Sequence, residues 1–429
     1  MLSKEENELL VRVGPGTPMG GLFRRFWLPA LLSEELPVPD CAPVRVRLLG
    51  EDLVAFRDSH GRVGLFDAFC PHRNAPLFFG RNEEAGLRCV YHGWKFDADG
   101  QCVDMPNCEE GEDFKRRVRI VSYPTLEGGG MVWAYMGPAD RVPPPPGFDW
   151  FALPSDHVYV TKYFLDCNYL QTLENEFDPT HSAFLHRTLN PASSQSLQVI
   201  ARSGVDLGRR APNTRFDIYE TDYGAALGRR RSDDGGLTLS THFMMPCFST
   251  AGAVSAPGTH PVNIKVPVDD DHSVFFRLKW SPEPLKPEVV HTWETANHEF
   301  PTRIPGAYVA RANKSNDYLI DRSLQKFFNY TGMNPYPVQD FAVVENQRGP
   351  IANRSREVLT SSDRYIIFVR RKLANAAKAI AQGREPEEPW RPEAYRGIRN
   401  FLPVTPEDEA RLRPAGAAKA AVAPSATAD

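Results

Sequence analysis

The chain has 429 residues, 41% hydrophobic and 24% charged, with a net charge of −4. That length can bury more than one core, so two domains are expected, and the slight acidic excess argues against a nucleic-acid binder. No stretch approaches the roughly 18 apolar residues that a membrane span needs, so no membrane attachment is expected.

The start, MLSKEENELL, is acidic and lacks the apolar run of a secretory signal. Residues 1–43 read as a helical and turn-rich N-terminal segment that packs on the second domain. From Val44 the pattern changes to short alternating runs, Val44–Leu48, Leu53–Phe56 and Val63–Phe66, punctuated by turns. Met131–Met136 reads as another strand, and the stiff run Pro143–Pro146 precedes a boundary near residue 150. Residues 44–150 are therefore an all-β domain. Residues 151–400 are α+β: helix over Asn168–His186, strands at Leu237–Met244, Val262–Val266 and Val274–Trp280, and helical patterns at Ala307–Asn329, Asp340–Arg348 and Asp363–Gln382. Asp269-Asp270-Asp271 is expected to turn the last two strands into a hairpin. The fold class is α+β, an antiparallel sheet flanked by helices behind an all-β domain. Residues 401–429 end in an Ala-rich run and are expected to be disordered.

The chemistry is concentrated in two places. Cys70-Pro71-His72 and Cys89-Val90-Tyr91-His92 each pair one thiolate with one imidazole. A Rieske centre needs this mixture, since cysteines hold one iron of a two-iron, two-sulfide cluster and histidines the other. A structural zinc site also uses two cysteines and two histidines, but finger spacing groups like with like. The other five cysteines show no disulfide framework, which fits a reducing cytoplasm.

The second place is Asp178-Pro179-Thr180-His181 through His186. Helical geometry would put Asp178 and His181 on one face, with a helix end needed to bring His186 round. Two imidazoles plus one carboxylate form the facial triad that holds Fe(II) and leaves positions open for dioxygen. Asp178 could instead accept the second ring N–H of a ligating histidine. No G-x-G-x-x-G follows a strand, so electrons must come from a separate reductase.

The run CPHRNAPLFFGRNEEAGLRCVYHGWKF resembles the cluster-binding segment of Rieske non-haem iron ring-hydroxylating oxygenases. D-x2-H-x4-H resembles that family's iron segment, and LSKEENELLVRVGPGTPMG, GEDLVAFRD and EVLTSSDRYIIFVRRKL resemble its phthalate dioxygenase-like branch, whose oxygenase has a large subunit only. The resemblance covers roughly residues 1–385. It implies an N-terminal Rieske [2Fe-2S] domain with ligands Cys70, His72, Cys89 and His92, and a catalytic domain with mononuclear Fe(II) on His181, His186 and Asp340, Glu345 being the rival third ligand. It implies that Asp178 is not a ligand but bridges His92 of one subunit to His181 of the next, in a homotrimer or a hexamer of two stacked trimers. Asn168 and His242 are candidate substrate contacts, and Gln171 a support for the iron site. The expected function is the oxygenase component of a multicomponent system that dihydroxylates an aromatic carboxylate with electrons from an NAD(P)H-dependent reductase, with or without a ferredoxin. The alternatives are an O-demethylase or monooxygenase cleaving an aryl ether, and a Rieske electron carrier without catalysis. Where an arginine is expected on the strand before Phe243, to bind a phthalate carboxylate, the chain has Leu239-Ser240-Thr241.

Overall fold

Of the three runs after Val44, the first turns one face inward, while the next two bury both faces, one against each of two apolar clusters. The computed structural model describes residues 2–109, 114–189, 215–230, 235–252 and 256–415. Val44–Leu48, Glu51–Arg57 and Val63–Asp67 pair in that order, burying Val46, Leu48, Leu53 and Leu65. A second sheet of very short strands follows: Arg81–Glu83, Gly86–Arg88, Lys95–Phe96 and Cys102–Asp104. Phe56, Phe66, Leu87 and Phe96 form a separate apolar cluster with Cys70 and Cys89 at its edge. A third sheet joins Trp27–Leu32 to Met131–Tyr135 and Thr125–Gly128.

The second half is built on an antiparallel sheet that is nine-stranded among the described residues. Its path runs Val158–Leu165, Ser273–Trp280, His260–Pro267, Phe248–Ser249, Leu237–Met244, Gly224–Arg230, Arg215–Thr221 and Arg413–Pro414, and Leu402–Pro403 pairs with Leu237–Met244. The hairpin at 269–271 closes as its sequence suggests: Asp269 Oδ1 accepts the backbone N–H of Asp271 and of His272 at 3.0 and 2.9 Å. Both faces of the sheet are covered. On one, Phe248 stacks on Trp133 with ring centroids 6.0 Å apart, and Phe148 lies 5.3 Å away, so the β-rich half packs there. On the other, Phe243 meets Phe177 at 5.3 Å and Phe177 meets Tyr365 at 5.1 Å, so the helices pack there. Tyr365 belongs to the helix Arg364–Ala381, which also carries the N-terminal helices Lys4–Val11 and Pro18–Phe23. No helix among the described residues is long and apolar enough to cross a membrane.

Three expectations are corrected. The helix expected over 168–186 covers only Tyr169–Glu176. Pro179 cannot donate to the helical ladder, crowds the carbonyl four residues back and drives Asp178 out of the helical region. The helix expected over 307–329 is replaced by the 3-10 turns Lys314–Leu319 and Leu324–Lys326. Asn313 caps the first of them, accepting from Ser315 N at 2.9 Å, and Asp321 Oδ1 takes Ser323 N at 2.9 Å. Side chains that bond their own backbone compete with a helix. The tail expected to be disordered from residue 401 is ordered to 415, because Leu402–Pro403 and Arg413–Pro414 each add to the large sheet. Residues 416–429 lie outside the described residues.

Candidate metal centres and active site

The two cysteine loops are built alike. Cys70 N–H donates to Ala75 O at 2.9 Å and Asn74 N–H to Cys70 O at 2.9 Å, while Cys89 N–H donates to Trp94 O at 2.8 Å and Gly93 N–H to Cys89 O at 3.0 Å. Each loop turns at the fourth residue after its cysteine through the left-handed region, Asn74 at φ 55° and Gly93 at φ 80°. At Gly93 a Cβ would also stand 2.6 Å from Pro106 Cγ. The loops bring the His72 and His92 rings within 4.5 Å, and Trp94 stacks on His72 at 4.5 Å.

Both thiols are buried, Cys70 at 2% and Cys89 at 3% exposure. Burial, reinforced by Cys89, pushes the Cys70 thiol up to about 12. Two thiols facing each other in an apolar wall become thiolates when a metal supplies the compensating charge. His72 Nδ1 is buried with no protein partner. An orphaned imidazole nitrogen above two buried thiols is the donor set a Rieske cluster fits.

The second centre starts where the helix Tyr169–Glu176 stops. Asp178 Oδ1 accepts Thr180 N–H at 2.7 Å and His181 N–H at 3.2 Å, capping a new 3-10 turn, His181–Ala183. His181 Nδ1 bonds the Asp178 backbone carbonyl at 2.8 Å. The sequence expectation of a shared helical face for Asp178 and His181 is thus replaced by a cap and a turn. The helix Tyr336–Val344 approaches from the other side with Gln339 and Asp340. Gln339 Oε1 takes Nδ1 of His186 at 2.8 Å, and Gln339 Nε2 donates to Met333 O at 2.9 Å, which orients the amide. With both Nδ1 atoms held, both Nε2 atoms face Asp340: Oδ1 lies 3.2 Å from that of His186 and 3.7 Å from that of His181. Among the described residues these three form a group of possible metal ligands with atoms within 4.8 Å of one another.

Burial alone would raise the Asp340 carboxyl, but His186, His181 and the Asn175 amide at 3.1 Å outweigh it and hold the group at about 2. A carboxylate and two imidazoles, each oriented through its far nitrogen, fit a ferrous ion. Glu345, the rival ligand, is committed elsewhere: Oε1 accepts Asp166 N–H at 2.7 Å and Oε2 the Tyr318 hydroxyl at 2.6 Å. Gln171 locks the two helices together, donating to Val344 O and accepting from Ala352 N, both at 2.7 Å.

Residues 26–124 match the family described as Rieske [2Fe-2S] domain, and residues 134–404 match LigXa C-terminal domain like. The chain is 39% identical to the phthalate 4,5-dioxygenase oxygenase subunit of Pseudomonas putida, over 89% of this chain and 88% of that one. The chain belongs to the Rieske non-haem iron oxygenases, in their phthalate dioxygenase-like branch. The oxygenase is also 33% identical to the 5,5'-dehydrodivanillate O-demethylase oxygenase subunit of Sphingobium sp., over 90% of this chain and 83% of that one. Its fold is shared with Pseudomonas putida CBB5 NdmB, at a TM-score of 0.60 and 19% identity over 91% of this chain and 99% of the other. A Rieske cluster and a mononuclear iron are therefore the oxygenase's cofactors.

Two expected substrate contacts of the oxygenase are corrected. Asn168 is fully buried; its Oδ1 caps Leu170 N, and its Nδ2 donates to Val11 O at 3.0 Å and Asp270 O at 2.7 Å. Its two amide donors join the N-terminal helix to the hairpin, and its oxygen starts the helix Tyr169–Glu176. His242 lies on the sheet face away from the helices, because Phe243 takes the helix-facing side and alternation sends its neighbour the other way. Its Nδ1 meets the Tyr223 hydroxyl at 2.6 Å.

Sequence reading missed a charged layer on the helix-facing side of the sheet. Lys265 pairs with Glu176 at 2.8 Å and Lys279 with Glu299 at 3.3 Å, while Arg277 bonds the Tyr336 hydroxyl. The signal was present in SVFFRLKW, where Arg277 and Lys279 stand two apart among Val274, Phe275, Phe276, Leu278 and Trp280. A strand buried on both faces reads as an apolar run, so charges in it mark special use.

Proposed function

We propose that this chain is the oxygenase component that adds dioxygen-derived oxygen to the ring of an aromatic carboxylate, with electrons from a separate NAD(P)H-dependent reductase. The observation that carries this reading is the convergence of His181, His186 and Asp340 in the same chain as the paired cysteine–histidine loops. The first relatives, oxygenase subunits of a phthalate and a 3-chlorobenzoate dioxygenase, are named for aromatic carboxylates. When bound, the cluster supplies single electrons and the iron supplies the oxygen chemistry.

The protein's own part is orientation. Cys70, Cys89, His72 and His92 hold the cluster. His181, His186 and Asp340 hold one face of the iron, while Gln339 and the Asp178 carbonyl keep each Nδ1 protonated and each Nε2 a lone-pair donor. Asp178 keeps its Oδ2 free of hydrogen bonds among the described residues and bridges His181 to His92 of a neighbouring subunit. Phe79, Val90 and Tyr91, each more than half exposed, surround the cluster loops and suit burial against a second copy. A head-to-tail contact of this kind closes into a trimer, alone or stacked in pairs. None of the seven cysteines is in a disulfide, which supports a reducing cytoplasm.

The test is composition together with turnover. Purified protein is expected to hold three irons and two sulfides per chain and, with a reductase, to take up oxygen only when an aromatic carboxylate is present. Product mass should increase by two oxygen and two hydrogen atoms, the hydrogens carrying the two electrons from the reductase. Two irons per chain, or oxygen uptake indifferent to aromatic acids, would refute the reading.

A further inference from the structure

Arg277 is the cation of the charged layer that makes no salt bridge among the described residues, with Glu299 and Glu176 acting on it from beyond contact. Asn263, Lys265, Arg277 and Lys279 are each at most 5% exposed on the helix-facing side of the sheet. Lys265 and Lys279 have carboxylate partners. Arg277 has none within ion-pair distance among the described residues. One arm, Nη2, bonds the Tyr336 hydroxyl, and Nε has no hydrogen-bond partner. The rings of Tyr336, Phe300 and Phe275 surround its guanidinium at 5.5, 5.6 and 5.8 Å. Directly across the ladder, and so on the same face, Thr161 has a buried hydroxyl that also lacks a partner.

A buried guanidinium without an anion is costly, and proteins rarely leave one unmatched. The site is also placed for use. The Tyr336 ring that holds Arg277 stands 5.4 Å from the ring of His186, so the open Nε–H is one aromatic residue away from an iron ligand. The aromatic surround suits an aryl ring, and the planar fork suits a carboxylate.

We infer that Arg277, with Thr161 beside it, anchors the carboxylate of the aromatic acid substrate. This deepens the proposed function and rests on it. The anion accepts from Arg277 Nε and from the Thr161 hydroxyl, while Tyr336 fixes the plane of the guanidinium. The arginine looked for on the strand before Phe243 is absent from that strand, where Ser240 Oγ is spent on Leu227 O at 3.1 Å. Arg277 supplies the missing charge from the strand Ser273–Trp280 instead.

The experiment is anaerobic calorimetry on the full-length, iron-loaded protein, with benzoate and benzamide as probes. Wild type is expected to bind benzoate at least about tenfold tighter than benzamide. Arg277→Gln should weaken benzoate about a hundredfold and leave benzamide within about threefold, because the lost partner is a buried charge. Arg277→Lys keeps the charge, loses the fork, and should fall between. Three irons per chain and an unchanged cluster absorption certify each variant. If Arg277→Gln does not fold, Thr161→Val carries the test, with an expected loss of about threefold to tenfold for benzoate alone. The inference is overturned if wild type does not prefer benzoate, or if the certified variants bind it as wild type does; an ordered water then fills the space between Arg277 and Thr161. Binding needs no turnover, so its failure is separable from a failure of the oxygenase reading, which shows as missing iron or as oxygen uptake without aromatic acid.

Discussion

Gln339 accepts a hydrogen bond from His186 at 2.8 Å, across 153 residues of sequence. The next residue, Asp340, stands 3.2 Å from the other nitrogen of the same ring. One helix turn thus supplies both a ligand and the group that orients its fellow ligand. Gln339→Leu should keep the fold and lower iron affinity about 10–100-fold. Titration of iron into the apo site, with the cluster spectrum as an unchanging reference, measures it.

Asp340 and Glu345 answer differently to removal of charge. Asp340→Ala is expected to leave two irons per chain, with normal cluster absorption and no substrate-dependent oxygen uptake. Glu345→Gln should keep all three, because its carboxylate serves Asp166 N and the Tyr318 hydroxyl. It should cost about 1–3 kcal/mol of stability. Iron counts with the reverse pattern would exchange the two roles.

Asp178→Asn keeps the oxygen that caps Thr180 and His181 while removing the charge. The cluster should still be reduced by the reductase. Its reoxidation by the iron centre should slow by about 10² or more, since the charge that holds the neighbouring histidine in line is lost. Stopped-flow mixing of reduced enzyme with oxygen and substrate reads the rate. Reoxidation at the wild-type rate would remove Asp178 from the electron path.

His242 is 1% exposed, and burial holds its imidazole at about 4. The unfolded chain takes up this proton below about 6.5, and the folded protein does not until about 4. Stability from this residue is therefore complete above 6.5 and lost as pH falls towards 4, amounting to about 2 kcal/mol by pH 5. His260, also lowered to about 4 by burial, acts in the same direction. His242→Asn should flatten, without abolishing, the fall in urea midpoint between pH 7 and pH 5. An unchanged slope would mean that water reaches the ring.

Much of the candidate site is local chemistry and was legible in the chain. The loops at Cys70 and Cys89 need only a few residues each to turn, and their spacing of ligand types distinguishes a two-iron cluster from zinc. The hairpin at Asp269 and the strands beside it follow from alternation and turn residues. Helix extent was less legible at 168–186, where Pro179 overrides the surrounding pattern. It was also less legible at 307–329, where short polar side chains bond their own backbone.

Sequence alone therefore settled the inventory: two cysteines, four histidines and a set of acids in patterns that suit two iron centres. Tertiary structure decided how the rest are used. Asp340 rather than Glu345 meets the histidines because Gln171 fixes how two distant helices pack. Asn168 became a cap, His242 turned to the far face of the sheet, and Arg277 came to lie beside Tyr336 near His186. Spacing along a chain fixes which groups are neighbours on one element. Which face is buried, and against what, depends on contacts hundreds of residues away, and no local pattern encodes them.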